Sequence, residues 1–182
     1  VTIIGNLRRL INDMNIQKAV SSQSGLLKWG MTLLMVIVCL SSCISGKIAN
    51  ENEVINPAGW SIADSIAFTV MVEDTVQAVD FYVNIRNKTS YRYSNLILFL
   101  DTRFPDGRTS RDTLECFLAR PDGEWTGSGI GNRKQNTLLL KRNVIFPASG
   151  SYTFVFRQAM RDNPLMGISD LGITIQNTEA PE

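Results

Sequence analysis

Ile66-Ala-Phe-Thr-Val-Met-Val72 decides the fold class, because Ile66, Phe68, Val70 and Val72 fall at every second position. A period of two puts those side chains on one face of a strand and their neighbours on the other, as in a sheet with one buried face. The same rhythm recurs along the chain. Phe81, Val83 and Ile85 alternate with Asp80, Tyr82, Asn84 and Arg86, and Leu114, Cys116 and Leu118 alternate with Thr113, Glu115 and Phe117. Asn95-Leu-Ile-Leu-Phe-Leu100 is apolar on both sides and belongs in the middle of a sheet. Thr137-Leu-Leu-Leu140, Val144-Ile-Phe146, Ser151-Tyr-Thr-Phe-Val-Phe156 and Leu171-Gly-Ile-Thr-Ile175 complete a set of about eight short strands. Pro105-Asp-Gly107 and Pro121-Asp-Gly123 carry turn chemistry that closes antiparallel connections. The reading is all-β: a single antiparallel β-sandwich, of jelly-roll or immunoglobulin-like type. The one helical turn expected, Gln158-Ala-Met-Arg161 ahead of Asn163-Pro164, covers an end of the sandwich.

Upstream of the sandwich the composition changes. The apolar run from Met31 to Leu40 is too short for a bilayer span, which needs about 20 residues, and suits the apolar region of a signal peptide. It stops at Leu40-Ser41-Ser42-Cys43, the pattern at which a bacterial lipoprotein precursor is cut between Ser42 and Cys43. The Cys43 thiol then carries a diacylglycerol thioether. Lys18 and Lys28 supply the positive flank, and Met14 reads as the true start, with Val1 to Asp13 an N-terminal extension. The organisation is therefore 1–42 extension and signal peptide, 43–59 a polar lipidated tether closing on Asn56-Pro-Ala-Gly59, and 60–182 the sandwich. Ser45, not Asp, stands two places after Cys43. By resemblance to bacterial lipoprotein sorting, this predicts the outer membrane, with the domain facing the periplasm.

Composition excludes several classes of function. The 182-residue chain contains no histidine, which removes serine-histidine and cysteine-histidine catalysis and imidazole metal sites. Its formal charge of +1 becomes −2 once Arg8, Arg9, Asp13, Lys18 and Lys28 leave with residues 1–42, so nothing points to nucleic acid. With Cys39 removed and Cys43 acylated, Cys116 is the one free thiol, and its place in an alternating run makes it a core residue.

Gly127-Ser-Gly-Ile-Gly131 has the look of a phosphate loop, but no helix follows it, so it reads as a turn between strands. Asp101, Asp106, Asp112, Asp122 and Glu124 lie in and beside turns without calcium-loop spacing and read as solvated turn residues. Tyr82, Tyr91, Tyr93, Trp60 and Trp125 are candidates for stacking on sugar rings, set against rim packing. Asp64-Ser65-Ile, Asp74-Thr75-Val and Asp112-Thr113-Leu resemble the Bacteroidetes O-glycosylation acceptor pattern, which requires Ser65, Thr75 and Thr113 at the surface.

Several blocks in order carry a more specific resemblance. Tyr93-Ser-Asn-Leu-Ile-Leu-Phe99, Phe104-Pro-Asp-Gly107, Asp112-Thr-Leu-Glu-Cys116 and Pro121-Asp-Gly-Glu-Trp125 are followed by Gly150-Ser-Tyr-Thr-Phe154, Gln158-Ala-Met-Arg161 and Gly167-Ile-Ser-Asp-Leu-Gly172. From Trp60 to Ile175 the chain resembles the gliding-motility lipoprotein H family, GldH. The resemblance implies a Bacteroidetes envelope lipoprotein associated with gliding and with the type IX secretion apparatus, with no catalytic activity and no cofactor. The expected function is a non-enzymatic adaptor or stabilising component held on the membrane through acyl chains on Cys43. Its partners would be other motility or secretion lipoproteins and envelope proteins. Contact is expected at the Tyr82 face, at Tyr91, Tyr93 and Trp125, at an exposed strand edge, or in the Gln158 to Asp170 segment with Arg161. The alternative is a carbohydrate-binding module of the cell envelope, which predicts at least two exposed, coplanar aromatics on one face.

Overall fold

The computed structural model describes residues 46–178. The alternating runs pair into eight strands: β1 (Lys47–Val54), β2 (Ile66–Val72), β3 (Val79–Lys88), β4 (Asn95–Arg103), β5 (Thr109–Phe117), β6 (Arg133–Val144), β7 (Gly150–Gln158) and β8 (Ile168–Asn177). They form two four-stranded sheets, ordered β1-β8-β3-β6 and β2-β7-β4-β5, and every pairing is antiparallel. Only β4 and β5 are consecutive in sequence and paired; every other connection crosses between sheets. This is the double Greek-key order of a jelly roll, which settles the choice against the immunoglobulin-like arrangement.

The core lies between the sheets and is built from the alternate residues that the sequence singles out. Ile66, Phe68, Val70 and Val72 from β2 are buried, as are Phe81, Val83 and Ile85 from β3 and Leu171, Ile173 and Ile175 from β8. Aromatic rings also meet edge to face within one sheet: Phe68 of β2 and Phe156 of the adjacent β7 have centroids 6.0 Å apart at 68°, a geometry that suits the ring quadrupoles. Cys116 is buried there, as the alternation predicts, and burial pushes its thiol up to about 12. β4 pairs on both sides, as expected of the Asn95 to Leu100 run, although its outer face leaves Phe99 exposed.

Three expectations need correction. Residues 43–59 are not a tether throughout, because Lys47–Val54 is a full edge strand paired with β8 from Lys47↔Gln176 to Val54↔Asp170. Backbone hydrogen bonds hold it, and an edge strand with Lys47, Glu51 and Glu53 tolerates polar side chains on both faces. Second, Thr137 to Leu140 and Val144 belong to one long edge strand, β6, whose mostly exposed pattern hides its length; Ile145 and Phe146 lie beyond its end. The strand count of eight therefore stands, but with β1 gained and two short runs merged. Third, Gln158-Ala-Met-Arg161 makes no helical turn. Gln158 ends β7 with its side chain buried; its Oε1 accepts from the Met160 N–H at 2.8 Å and its Nε2 donates to the Asp162 carbonyl at 3.0 Å, satisfying an irregular bend.

The sandwich has two ends. At one, which we call the near end, β1 starts and connections 73–78, 104–108 and 145–149 lie, as the pairings Val79↔Asn177, Val79↔Val144, Val72↔Gly150 and Arg103↔Thr109 require. Connections 55–65, 89–94, 118–132 and 159–167 lie at the far end. There Trp60 and Leu165 exchange backbone hydrogen bonds of 2.9 Å each. The Gly127 and Gly129 turn packs on β6 as a structural element: a Cβ on Gly127 would meet the Gln135 carbonyl oxygen at 2.7 Å, and Gly129 holds φ at 147° against the Arg133 carbonyl. Close backbone approach explains these glycines.

Candidate functional site

Outward from the core, the β1-β8-β3-β6 sheet presents a layer of amides and hydroxyls. Because side chains alternate along β3, Asp80, Tyr82, Asn84 and Arg86 share its outer face, and the register sets them beside Gln176, Thr174, Gly172 and Asp170 of β8. Asn84 is the hub of a hydrogen-bonded row running across all four strands. Its Nδ2 donates to Thr174 Oγ1 at 2.8 Å, Thr174 donates to Asn50 Oδ1 of β1 at 3.0 Å, and Thr137 of β6 donates to Asn84 Oδ1 at 2.9 Å. Arg86 donates to Gln135 Oε1 at 3.0 Å and lies 3.5 Å from Asp170. Mutual satisfaction lets Asn84 and Thr174 be buried on a nominally exterior face.

Gly172 opens a gap in this layer between Asn52 and Asn84, and the groove that results measures about 530 Å³. Lys47, Asn52, Tyr82, Arg86, Thr137 and Gln176 contribute to its lining. The lining offers hydrogen-bond donors and acceptors, one aromatic ring and two cations, and no aliphatic residue. At its near-end margin Asp80 accepts the Asn143 N–H at 3.0 Å and the Thr178 hydroxyl at 2.9 Å. The Asn143 backbone hydrogen bond, with help from Thr178 and Arg142, holds the Asp80 carboxyl below its usual range. This face can bind a polar partner. It contains no nucleophile paired with a base, and among the described residues no cluster of Cys, Asp or Glu suits a metal.

The other predicted contact residues go elsewhere. Tyr91 is 4% exposed, donating its hydroxyl to the Asn95 carbonyl at 3.0 Å, and meets Tyr93 edge to face at 5.7 Å and 65°. Hydrogen bonding to Asp162 holds the Tyr93 phenol above its ordinary range, and Arg92 and Arg161 lie close enough to oppose that shift. Trp125 packs against the core, and Trp60 is buried. Tyr91, Tyr93, Trp125 and Arg161 therefore gather at the far end while Tyr82 stands apart on the sheet face. No coplanar platform of these aromatics forms. Among the glycosylation candidates, Ser65 and Thr113 are exposed and Thr75 is half-buried.

Residues 47–175 match the family described as GldH lipoprotein. The chain belongs to the GldH lipoprotein family. A gliding motility lipoprotein GldH homolog from Christiangramia forsetii is 37% identical over 153 residues, 80% of this chain and 93% of that protein. The gliding motility lipoprotein GldH of Flavobacterium johnsoniae is 30% identical over 154 residues, 81% of this chain and 95% of that protein. These relatives are named as motility lipoproteins and not as enzymes. Among solved structures, the CBM36-1 domain of a multidomain xylanase from the hindgut metagenome of Trinervitermes trinervoides aligns at 13% identity, covering 75% of this chain and 94% of that domain. Its TM-score of 0.37 is too low to bear on what a GldH protein binds.

The GldH family is implicated in gliding motility, and a lipoprotein is held to a membrane by its lipid. Ser42 and Cys43, the predicted cleavage and attachment positions, lie outside the described residues. The GldH match begins at Lys47, the first residue of β1. Sequence reasoning missed Asn50, Asn52, Gln135 and Gln176 of the groove. The signal available was the alternation of Asn50 and Asn52 with Ala49 and Glu51, hidden by reading β1 as tether.

Proposed function

We propose that this GldH family member is a non-enzymatic, periplasm-facing outer-membrane lipoprotein, acylated at Cys43, that serves as an adaptor or stabilising component of the gliding machinery and the type IX secretion apparatus. One observation carries the adaptor reading: Val54, Ile62, Phe117, Ile130 and Met166, all large, apolar and exposed, belong to strand ends and connections of the far end. Ile130 is 100% exposed. Apolar side chains set out in solvent among arginines fit a protein partner better than solvent alone. Confining the domain to one membrane raises its effective concentration for partners on the same surface, so modest contacts suffice.

The test is affinity purification from detergent-extracted outer membranes of cells making the full chain with a carboxyl-terminal tag, beside Ile62→Asp/Ile130→Asp/Met166→Asp. Motility or secretion components should accompany the parent at fixed proportion and be lost from the triple variant. Recovery of the parent protein alone would overturn the adaptor reading. The lining of the groove by amide, hydroxyl and charged residues favours a second reading, an envelope glycan held against Tyr82 and Asn52. Glycan-array binding lost in Asn52→Ala would support it.

A further inference from the structure

We infer that the near end of the sandwich rests on the bilayer surface, with Val76 and Ile145 in the lipid headgroup layer. The inference rests on acylation at Cys43 and begins from the correction that Lys47 opens a strand instead of continuing a tether. Three residues, Ile44, Ser45 and Gly46, separate Cys43 from Lys47, so the chain takes four residue steps between them. Even fully extended they reach at most about 14 Å, and the headgroup layer itself takes up roughly 5 to 7 Å of that. An acylated Cys43 therefore cannot hold the near end far above the headgroups.

Two loops share the near end with the point where the chain joins the sheet, one of them close beside it and the other beyond β6 at the opposite edge. Gly46 accepts the Asn177 N–H through its carbonyl at 2.9 Å, and the Thr178 N–H donates to the Ala78 carbonyl at 2.9 Å, so the start of β1 and connection 73–78 are level with one another across the end of β8. Adjacent strands are about 4.8 Å apart, which places that connection within roughly 10 Å of the attachment point laterally. Connection 73–78 is an Asx turn: Asp74 Oδ1 accepts the N–H of Val76 at 2.7 Å and of Gln77 at 3.3 Å. That turn holds Val76 outward, 86% exposed. Beyond β6, Ile145 is 59% exposed and its neighbours Pro147 and Ala148 are exposed too. Apolar side chains held outward at the end of the sheet are suited to the headgroup and acyl boundary, where burial relieves their exposure to water. The far end, with Ile62, Ile130 and Met166, then points away from the membrane.

The test uses the acylated full chain reconstituted in phosphatidylethanolamine and phosphatidylglycerol vesicles containing a headgroup-spin-labelled lipid. Val76→Cys, Ile145→Cys and Ile130→Cys are each labelled with an environment-sensitive fluorophore; Cys116 is buried and does not compete. Probes at positions 76 and 145 should be quenched at least about twofold more than the probe at 130, with blue-shifted emission, because the nitroxide acts only at contact distance. Equal quenching at all three positions on vesicle-bound protein would overturn the inference and leave the anchor intact. Intact mass without a diacylglycerol on Cys43, with protein free of the vesicles, would overturn the anchor and the inference together.

Discussion

Replacing Gly172 with alanine should pry β1 from the sheet while leaving the rest of the sandwich folded. Gly172 lies on the outer face of β8 opposite Asn52, and a Cβ there would fall inside 3.0 Å of both the Asn52 side chain and the Glu51 carbonyl oxygen. The Asn52 amide can rotate away; the Glu51 oxygen is backbone and moves only with the strand. Ordinary contact begins at 3.4 Å, so β1 must retreat. A retreat of roughly 1 Å stretches ladder bonds of about 2.9 Å beyond hydrogen-bonding range. Losing two such bonds, each worth about 0.5 to 1.5 kcal/mol net, costs about 1 to 3 kcal/mol. At about 4 °C per kcal/mol, the melting temperature should fall by about 4 to 12 °C. Hydrogen exchange read residue by residue should show protection lost in β1 and kept in β3, because local opening of an edge strand does not require global unfolding. Asn52→Ala alone should be near neutral, and adding it to Gly172→Ala should recover little, since the backbone collision remains. A Gly172→Ala protein with unchanged melting temperature and protected β1 amides would refute the reasoning.

Other outcomes follow from the same structure. Cys43→Ala should leave the domain folded and release it to the soluble fraction, so a variant still pelleting with membranes after a high-salt wash counts against the anchor. The Cys116 thiol, pushed up to about 12 by burial, should react with a maleimide at pH 8 several hundredfold more slowly than in urea-unfolded protein; comparable rates would mean the β5 edge opens freely. Asp80, Asp101 and Asp106 are all held below the usual carboxylate range, Asp80 mainly by the Asn143 N–H, Asp101 by Arg111 and Asp106 by the Arg108 N–H. A lowered folded-state value means that each contribution is present above the unfolded value of about 3.9 and is lost as pH falls through the folded one. Asp80→Asn should therefore lower stability at neutral pH and flatten the fall in stability below about pH 4, as followed by urea unfolding across pH; an unchanged slope there would contradict the assignment.

How much of this protein is legible before its tertiary structure depends on the distance over which each feature is encoded. The buried faces of β2 and β3, the hairpin at Pro105-Asp-Gly107 and the burial of Cys116 are read correctly from the order of residues, because a period of two and a turn dipeptide are local signals. Tyr82 is likewise placed on the face opposite Phe81 and Val83 by alternation alone. The candidate site is only partly legible: Tyr82 is found, while its neighbours from β1, β6 and β8 come from segments separated in sequence by tens of residues.

Sequence alone thus determines an all-β chain with one buried face per core strand and no histidine chemistry. The tertiary structure decides the jelly-roll order, the strand identity of Lys47–Val54, and which loops share an end. The physical reason is that burial patterns are written in side chains, residue by residue. An edge strand such as β1 is held by backbone hydrogen bonds to β8, which any sequence can make, and its place is fixed only when a partner more than a hundred residues away arrives beside it.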